Sequence, residues 1–328
     1  MPEFDASTPE LDADELFHEG EREVQRRAGV ADIALRVGRG AMQPAIDLDT
    51  AVFLSQRLFV VAGAQAPDGN VWASLLVGAP GFARTMDAEH LRLAVMPAPG
   101  DPLQTALDDG PVRLGLLALE PATRTRVRLN GTAVATEAGI LVTIDQVFGN
   151  CTKYIGVRVP MALIGEGRTD PARASGTHLT EPQRALLRQT DTAFVASAHP
   201  ERGADASHRG GRPGFLTVDD AGRTVLLPDY KGNRMFQTLG NLTVDPRVGM
   251  LVVDWDTGLT LQLAGVAEIL WSGPEVDSRP DVDRVVVIRV ESAVEQARAL
   301  PVRYELRQAH PLNPQLPDGP AAAGETQG

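Results

Sequence analysis

The sequence predicts a mainly β protein with short helices, arranged as two barrels in tandem. Three observations carry this. The apolar segments are short, β-branched or alternating, and they are separated by turn residues. The two halves of the chain repeat one another at a nearly constant spacing. Helical periodicity is confined to brief pieces, and many antiparallel strands with few helices favour closed or partly closed barrels, which remove exposed edges.

Taken in order, residues 1 to about 13 are polar and proline-bearing and read as loosely ordered. "ADELFHEGEREVQRRAG" then has helix-compatible spacing, with Gly29 as its stop, and closes an N-terminal extension covering residues 1–48. In the first unit, residues 49–160, the strands are "RLFVVAGAQ", "VWASLLVG", "HLRLAVM", "VRLGLLALE" and "TRVRLNGTAVA". In the second, residues 178–300, they are "TAFVASAH", "ADASHRG", "GFLTVDD", "TVLLPDY", "VGMLVVD" and "LTLQLAGVAEI". Short helices fall at "TAVFLSQ", "PLQTALDD", "EPQRALLRQ" and "NRMFQTLGN". Residues 308–328, rich in Pro, Gly and Ala, read as a mobile tail, and both ends look dispensable for chemistry.

The repeat is specific at the residue level. "NVWASLLVGAPGF" and "GADASHRGGRPGF" align Ser74 with Ser207, Pro80 with Pro213 and Phe82 with Phe215, each 133 positions apart. Pro111 matches Pro246 and Gly131 matches Gly265, at offsets of 135 and 134. Such constancy indicates one ancestral unit present twice.

Composition bounds the function. In 328 residues the net charge is −12 and the pI near 5.0, which disfavours a broad basic surface for nucleic acid or an anionic membrane. The single cysteine, Cys151, excludes an internal disulfide framework and any multi-cysteine metal site. With no basic-then-apolar leader and no long apolar run, a cytoplasmic location is expected. The six histidines are scattered without metal spacing, and no Gly-x-Ser-x-Gly elbow, phosphate-binding Walker loop or His-Glu-x-x-His motif occurs.

The order of parts from Glu181 to Leu270 resembles the pyridoxamine 5′-phosphate oxidase-like split barrels that bind FMN. The features are a short helix, the small-residue strand "ADASHRGG", a strand ending in "LPDY", a basic and amide-rich helix start, and then "DPRVGMLVVD" and "GLTLQLAGVAEI". Residues from Asp49 to Val147 look like a degenerate copy, and "FHEGE" and "FGNCTKYI" are similar to a larger branch of the family. The resemblance implies two FMN-type split barrels forming an internal pseudo-dimer, since such barrels usually pair with flavin at the seam.

"LPDYKGNRMFQTLGN" is the first candidate site. A phosphate needs backbone N–H groups at a helix start together with cationic donors. Gly232 permits close approach, Asn233 is placed to cap the helix, Lys231 and Arg234 bring charge, and Asn241 could add an amide. The plain alternative is a surface turn with solvated charges. By the resemblance, Asp229 and Tyr230 end the strand at this point, while Ser207, His208 and Arg209 face flavin and Arg212 reaches anionic groups. The alternative there is a glycine-rich hairpin. His208 is also the candidate proton donor, though histidine often serves only as a hydrogen-bonding spacer. Between the halves, Lys153 and Tyr154 are candidates for lining a pocket, and Cys151 reads either as a redox thiol or as a small buried residue. The upstream counterpart, "PAPGDPLQTALDDGP", carries Asp101, Asp108 and Asp109 and no Lys or Arg, a surface expected to repel phosphate.

The expected function is that of an FMN-dependent oxidoreductase exchanging hydride between flavin N5 and a small substrate or NAD(P)H. The alternative is a non-catalytic protein that binds flavin, deazaflavin or haem for storage or sensing. Expected partners are a small-molecule substrate and a second copy of the chain, with no nucleic acid and no membrane.

Overall fold

The computed structural model describes residues 12–164, 171–279 and 281–316. The readings made for residues 1–11 and 317–328 lie outside the described residues. Three helices open the chain: α1 (Ala13–Leu16), α2 (Glu19–Arg27) and α3 (Ala31–Ala41). The expected single helix is broken at Phe17 and His18, because Phe17 is extended and His18 begins a fresh capping box with Glu21. Helix α3 ends at Ala41, and Met42 begins the first strand.

The upstream unit contains β1 (Met42–Gln43), α4 (Leu48–Ser55), β2 (Phe59–Gln65), β3 (Val71–Val77), β4 (Ala83–Thr85), β5 (His90–Leu93), α5 (Pro102–Asp108), β6 (Val112–Glu120), β7 (Thr125–Thr136) and β8 (Gly139–Gly149). A linker strand β9 (Val157–Leu163) follows. The downstream unit contains β10 (Arg173–Gly176), α6 (Glu181–Gln189), β11 (Thr192–His199), β12 (Gly203–Gly210), β13 (Thr217–Val218), β14 (Thr224–Tyr230), α7 (Gln237–Val244), β15 (Arg247–Val253), β16 (Thr260–Leu270), α8 (Pro274–Asp277) and β17 (Val282–Gln296), and β18 (Val302–Gln308) closes the chain.

The two sheets have one topology. Upstream the order is β3-β2-β6-β7-β8-β5-β4 with β1 added to β8; downstream it is β12-β11-β15-β16-β17-β14-β13 with β10 added to β17. Even the irregularities recur, with bulges at Asn130/Gly131 and at Ala264/Gly265. Each unit is thus a split β-barrel with its own core: Leu114, Leu116 and Val142 upstream, Val195, Met250 and Ile288 downstream.

A third apolar cluster joins the units, bringing Val61 and Leu117 against Phe194, Ala206 and Leu251. The backbones meet closely here. A Cβ on Gly115 would lie 2.5 Å from Asp205 Cα, and one on Gly63 would lie 2.6 Å from Asp205 O. Glycine is required because the seam leaves no room for a side chain. Strands β9 and β18 form a separate two-stranded ribbon.

Both ends of the chain are more engaged than their composition suggests. Val24 of α2 enters the downstream core, and Gln25 Nε2 donates to Met235 O at 2.9 Å. Beyond β18, His310 and Asn313 are buried, and Asn313 Nδ2 donates to Gly211 O at 2.9 Å. The part of the C-terminal segment that is described is therefore packed. No helix among the described residues is long and apolar enough to cross a membrane.

Candidate functional site

A cleft of about 540 Å³, counting its open mouth, lies where β7 of the upstream unit meets β12, β14 and α7 of the downstream unit. Alternation along β12 turns Ser207 and Arg209 to the same side, and the 231–236 loop supplies Asn233 and Arg234. From β7 come Arg126 and Arg128, two residues apart and therefore also on one face.

The loop does not build the helix start expected for it. Helix α7 begins at Gln237, not near Asn233, and its N-cap Phe236 has a left-handed φ of 63° with no side-chain cap. Asn233 instead accepts from Met235 N at 3.1 Å and donates to Asn150 Oδ1 at 2.7 Å, tying the loop to the linker. A polar side chain can turn its own backbone in this way in place of capping a helix.

The cleft carries unneutralised positive charge. Asp229 is buried and answers both Arg209 (2.9 Å) and Arg284 (2.9 Å). Arg128 pairs with Asp205 at 2.5 Å and reaches Gln237 Oε1 at 3.2 Å. Arg126 and Arg234 meet no carboxylate among the described residues. Arg126 contacts only the His208 carbonyl, at 3.5 Å, and burial followed by repulsion from Arg128 pushes its pKa down to about 10. Buried Nε groups of Arg126, Arg128 and Arg209 also lack partners. Unpaired buried cations are costly, so the arrangement fits an anion.

The remaining expected residues are distributed as follows. Ser207 is buried with its Oγ 2.9 Å from Thr238 Oγ1, and Tyr230 lines the cleft with its pKa pushed up to about 12 by burial. Tyr154, at φ 68°, packs on Tyr230 with ring centroids 5.4 Å apart and donates to Lys231 O at 3.1 Å. His208 lies against Phe194 with both ring nitrogens buried and unpartnered, and burial holds its pKa well below 6.5. It is a neutral imidazole with buried ring nitrogens in a residue that lines the cleft. Lys231 and Arg212 are exposed outside the lining, and Lys153 and the free thiol of Cys151 are half-buried outside it.

Asn241 belongs to an adjoining cavity of about 390 Å³, lined by His18, Glu21, Asn130 and Asp205 among others. It accepts from His18 Nε2 at 2.9 Å and donates to Ser197 Oγ and to Asp205 Oδ2. Burial pushes Glu21 up to about 8 and His18 down to about 4, so this close pair is neutral near pH 7 and not an ion pair. The "FHEGE" segment thus builds a cavity wall and supports α7. His18, Glu19 and His199 place ligand atoms within 4.8 Å of one another. Yet each ring already accepts from backbone N–H at Nδ1 and donates from Nε2, which leaves no lone pair for a metal.

Sequence reading missed Arg126, Arg128, Gln237 and Thr238. "TRVRLN" does carry the signal of two arginines on one face of a strand, but nothing in the sequence says that this face meets the other unit.

Fold and site together define a duplicated split barrel whose copies pair within one chain around a cationic cleft. The pyridoxamine 5′-phosphate oxidase family model matches residues 179–305, which span most of the downstream barrel. No curated protein matches the chain. Among solved structures, the HupZ protein of Group A Streptococcus is 17% identical with TM-score 0.30, covering 40% of this chain and 98% of its own. An F420 reductase is 19% identical with TM-score 0.27, covering 35% and 98%. The FAD binding protein from Mycobacterium smegmatis is 12% identical with TM-score 0.25, covering 38% and 97%.

Proposed function

We propose that the cleft between the barrels binds a flavin, FMN by preference, and that the protein is a flavin-dependent oxidoreductase exchanging hydride with a small substrate or NAD(P)H. The observation that carries this reading is the pair Arg126 and Arg234, cations held without a carboxylate at the mouth of α7. A phosphate monoester supplies the missing charge and accepts from a guanidinium in the two-pronged geometry arginine favours. Ser207, Thr238 and the first backbone N–H groups of α7 provide further donors, as expected where a helix start meets an anion.

When bound, flavin supplies hydride exchange at its N5. This chain's own residues position and shield it. Arg126, Arg128 and Arg234 hold the phosphate, Tyr230 and Tyr154 form a wall, and the contacts of Asp229 with Arg209 and Arg284 fix that wall's base. A single observation favours the non-catalytic reading: the ring nitrogens of His208, the candidate proton donor, are buried and unpartnered. That same burial argues against haem ligation by His208.

The test is a titration of purified protein with FMN, followed by anaerobic NADPH. Binding of one FMN per chain, weakened in Arg126→Ala, supports the site. Bleaching of the bound flavin supports the enzyme, whereas stable yellow colour supports the carrier. Failure to bind FMN, riboflavin or a deazaflavin removes the whole reading.

A further inference from the structure

The shared topology gives each residue of the cleft an upstream twin. Ser74 faces Ala62 as Ser207 faces Val195, and through the shared bulge Gln262 corresponds to Arg128. Helix α5 stands in the place of α7. Downstream, these elements reach toward the first turn of α7, where Ser207 meets Thr238 and Arg128 meets Gln237.

Upstream, the same three elements converge on one carboxylate. Asp101 accepts from Ser74 Oγ at 2.6 Å, from Leu103 N at 2.9 Å and from Gln262 Nε2 at 3.2 Å, and is only 3% exposed. An ordinary N-cap needs only the backbone N–H. Here the other two donors come from separate strands, one of them in the other barrel. Around Asp101 the cleft has been closed: buried Leu76 stands where Arg209 does, and buried Thr260 where Arg126 does. The adjoining cavity is closed too. Trp72 occupies the position of Asp205 and packs with Ala264, the twin of Asn130.

The geometry points to Asp101 as a built-in substitute for a bound oxyanion: the chain's own carboxylate fills the upstream copy of the seat, and the emptied seat takes a small external carboxylate. The oxygen acceptor that the downstream cleft must recruit is covalently supplied upstream, where three neutral donors meet it and burial pushes the Asp101 pKa up. Surface repulsion by Asp101, Asp108 and Asp109 is therefore not what closes this copy, since Asp101 points inward. The inference stands on the upstream contacts alone and rests on the flavin reading only for the expectation of one nucleotide per chain.

The experiment is thermal melting of Asp101→Gly at pH 7.5 in sodium formate and in sodium chloride of equal ionic strength. The variant is expected to melt several degrees below the wild type because Ser74, Leu103 N and Gln262 lose their acceptor. Formate is expected to recover most of that drop. Its effect beyond chloride must exceed the same difference in the wild type, whose downstream cleft is unchanged. Equal formate effects in both proteins overturn the inference. Should Asp101→Gly fail to fold, Asp101→Asn decides, because it keeps the shape while turning an NH₂ toward the Gln262 NH₂. A lower melting point with no extra formate effect is expected, and a melting point at or above wild type overturns the inference. FMN uptake by Asp101→Asn, measured separately, reads the downstream cleft. Its loss in the wild type too would sink the flavin reading and leave the formate result standing.

Discussion

Arg126 and Arg234 are worth different amounts from the exposed cations near them, because these two are half-buried and line the cleft. Replacing either with Ala is expected to weaken FMN binding by about tenfold or more, equivalent to ~1.4 kcal/mol each. Lys231→Ala and Arg212→Ala should leave it within about twofold, as expected for solvated charges. Fluorescence titration of FMN against the four variants checks the ranking. Glu21 makes a second prediction. The unfolded chain releases its proton near 4.5, while the folded protein keeps it to about 8, so Glu21 lowers stability as pH rises through that window and its effect is complete above it. The slope is about 1.4 kcal/mol per pH unit. His18, lowered from 6.5 to about 4, acts in the opposite sense as pH falls between those values. Urea unfolding of Glu21→Gln against wild type isolates the first effect: their stability difference should shift in favour of the variant as pH rises from 5 to 8.

At the scale of elements, the seam fixes the site. Strand β7 delivers Arg128 to Asp205 across the two barrels only because β6 and β12 approach without a side chain at Gly115. Gly115→Ala places its Cβ against backbone, which cannot yield as a flexible side chain does. The variant should lose roughly 1–3 kcal/mol in urea unfolding and bind FMN more weakly, as the Arg128 side chain is drawn away with its strand. Substitution at exposed Gly149, where a Cβ meets nothing within 4 Å, should do neither. The helix α7 shows a limit of local reading. "NRMFQTLGN" carries Asn233 and Arg234 in a plausible first turn, yet Arg234 and Phe236 both take left-handed backbone. The tertiary ties of Asn233 to Asn150 and of Gln25 to Met235 O outweigh the local preference.

For the whole molecule, duplication converts what would be a two-chain arrangement into one chain with unequal halves. Arg126 and Arg128 come from one unit and Ser207, Arg234 and Thr238 from the other, so flavin loading should not depend on protein concentration. Measuring bound FMN per chain over a wide dilution range checks this, and a fall on dilution at fixed free FMN would show that a second chain completes the site. Much of the architecture was legible in sequence. Strand alternation and the 133 to 135 residue offset are local or additive signals, and Gly131 and Gly265 marked the shared bulge before its role was visible. The strands β8 and β17 were less so, since their long runs carry no single turn signal that separates them.

The sequence by itself determined two related β units, the cationic loop after β14 and the unequal chemistry of the copies, because periodicity, turn residues and charge are written along the chain. Only the tertiary structure decided which arginines share a cleft, that the ring nitrogens of His208 are buried, and that Asp101 points inward. Those outcomes depend on how two separate sheets face one another, and the distance between residues 77 positions apart, such as Arg128 and Asp205, is set by packing of the seam and by nothing local to either strand.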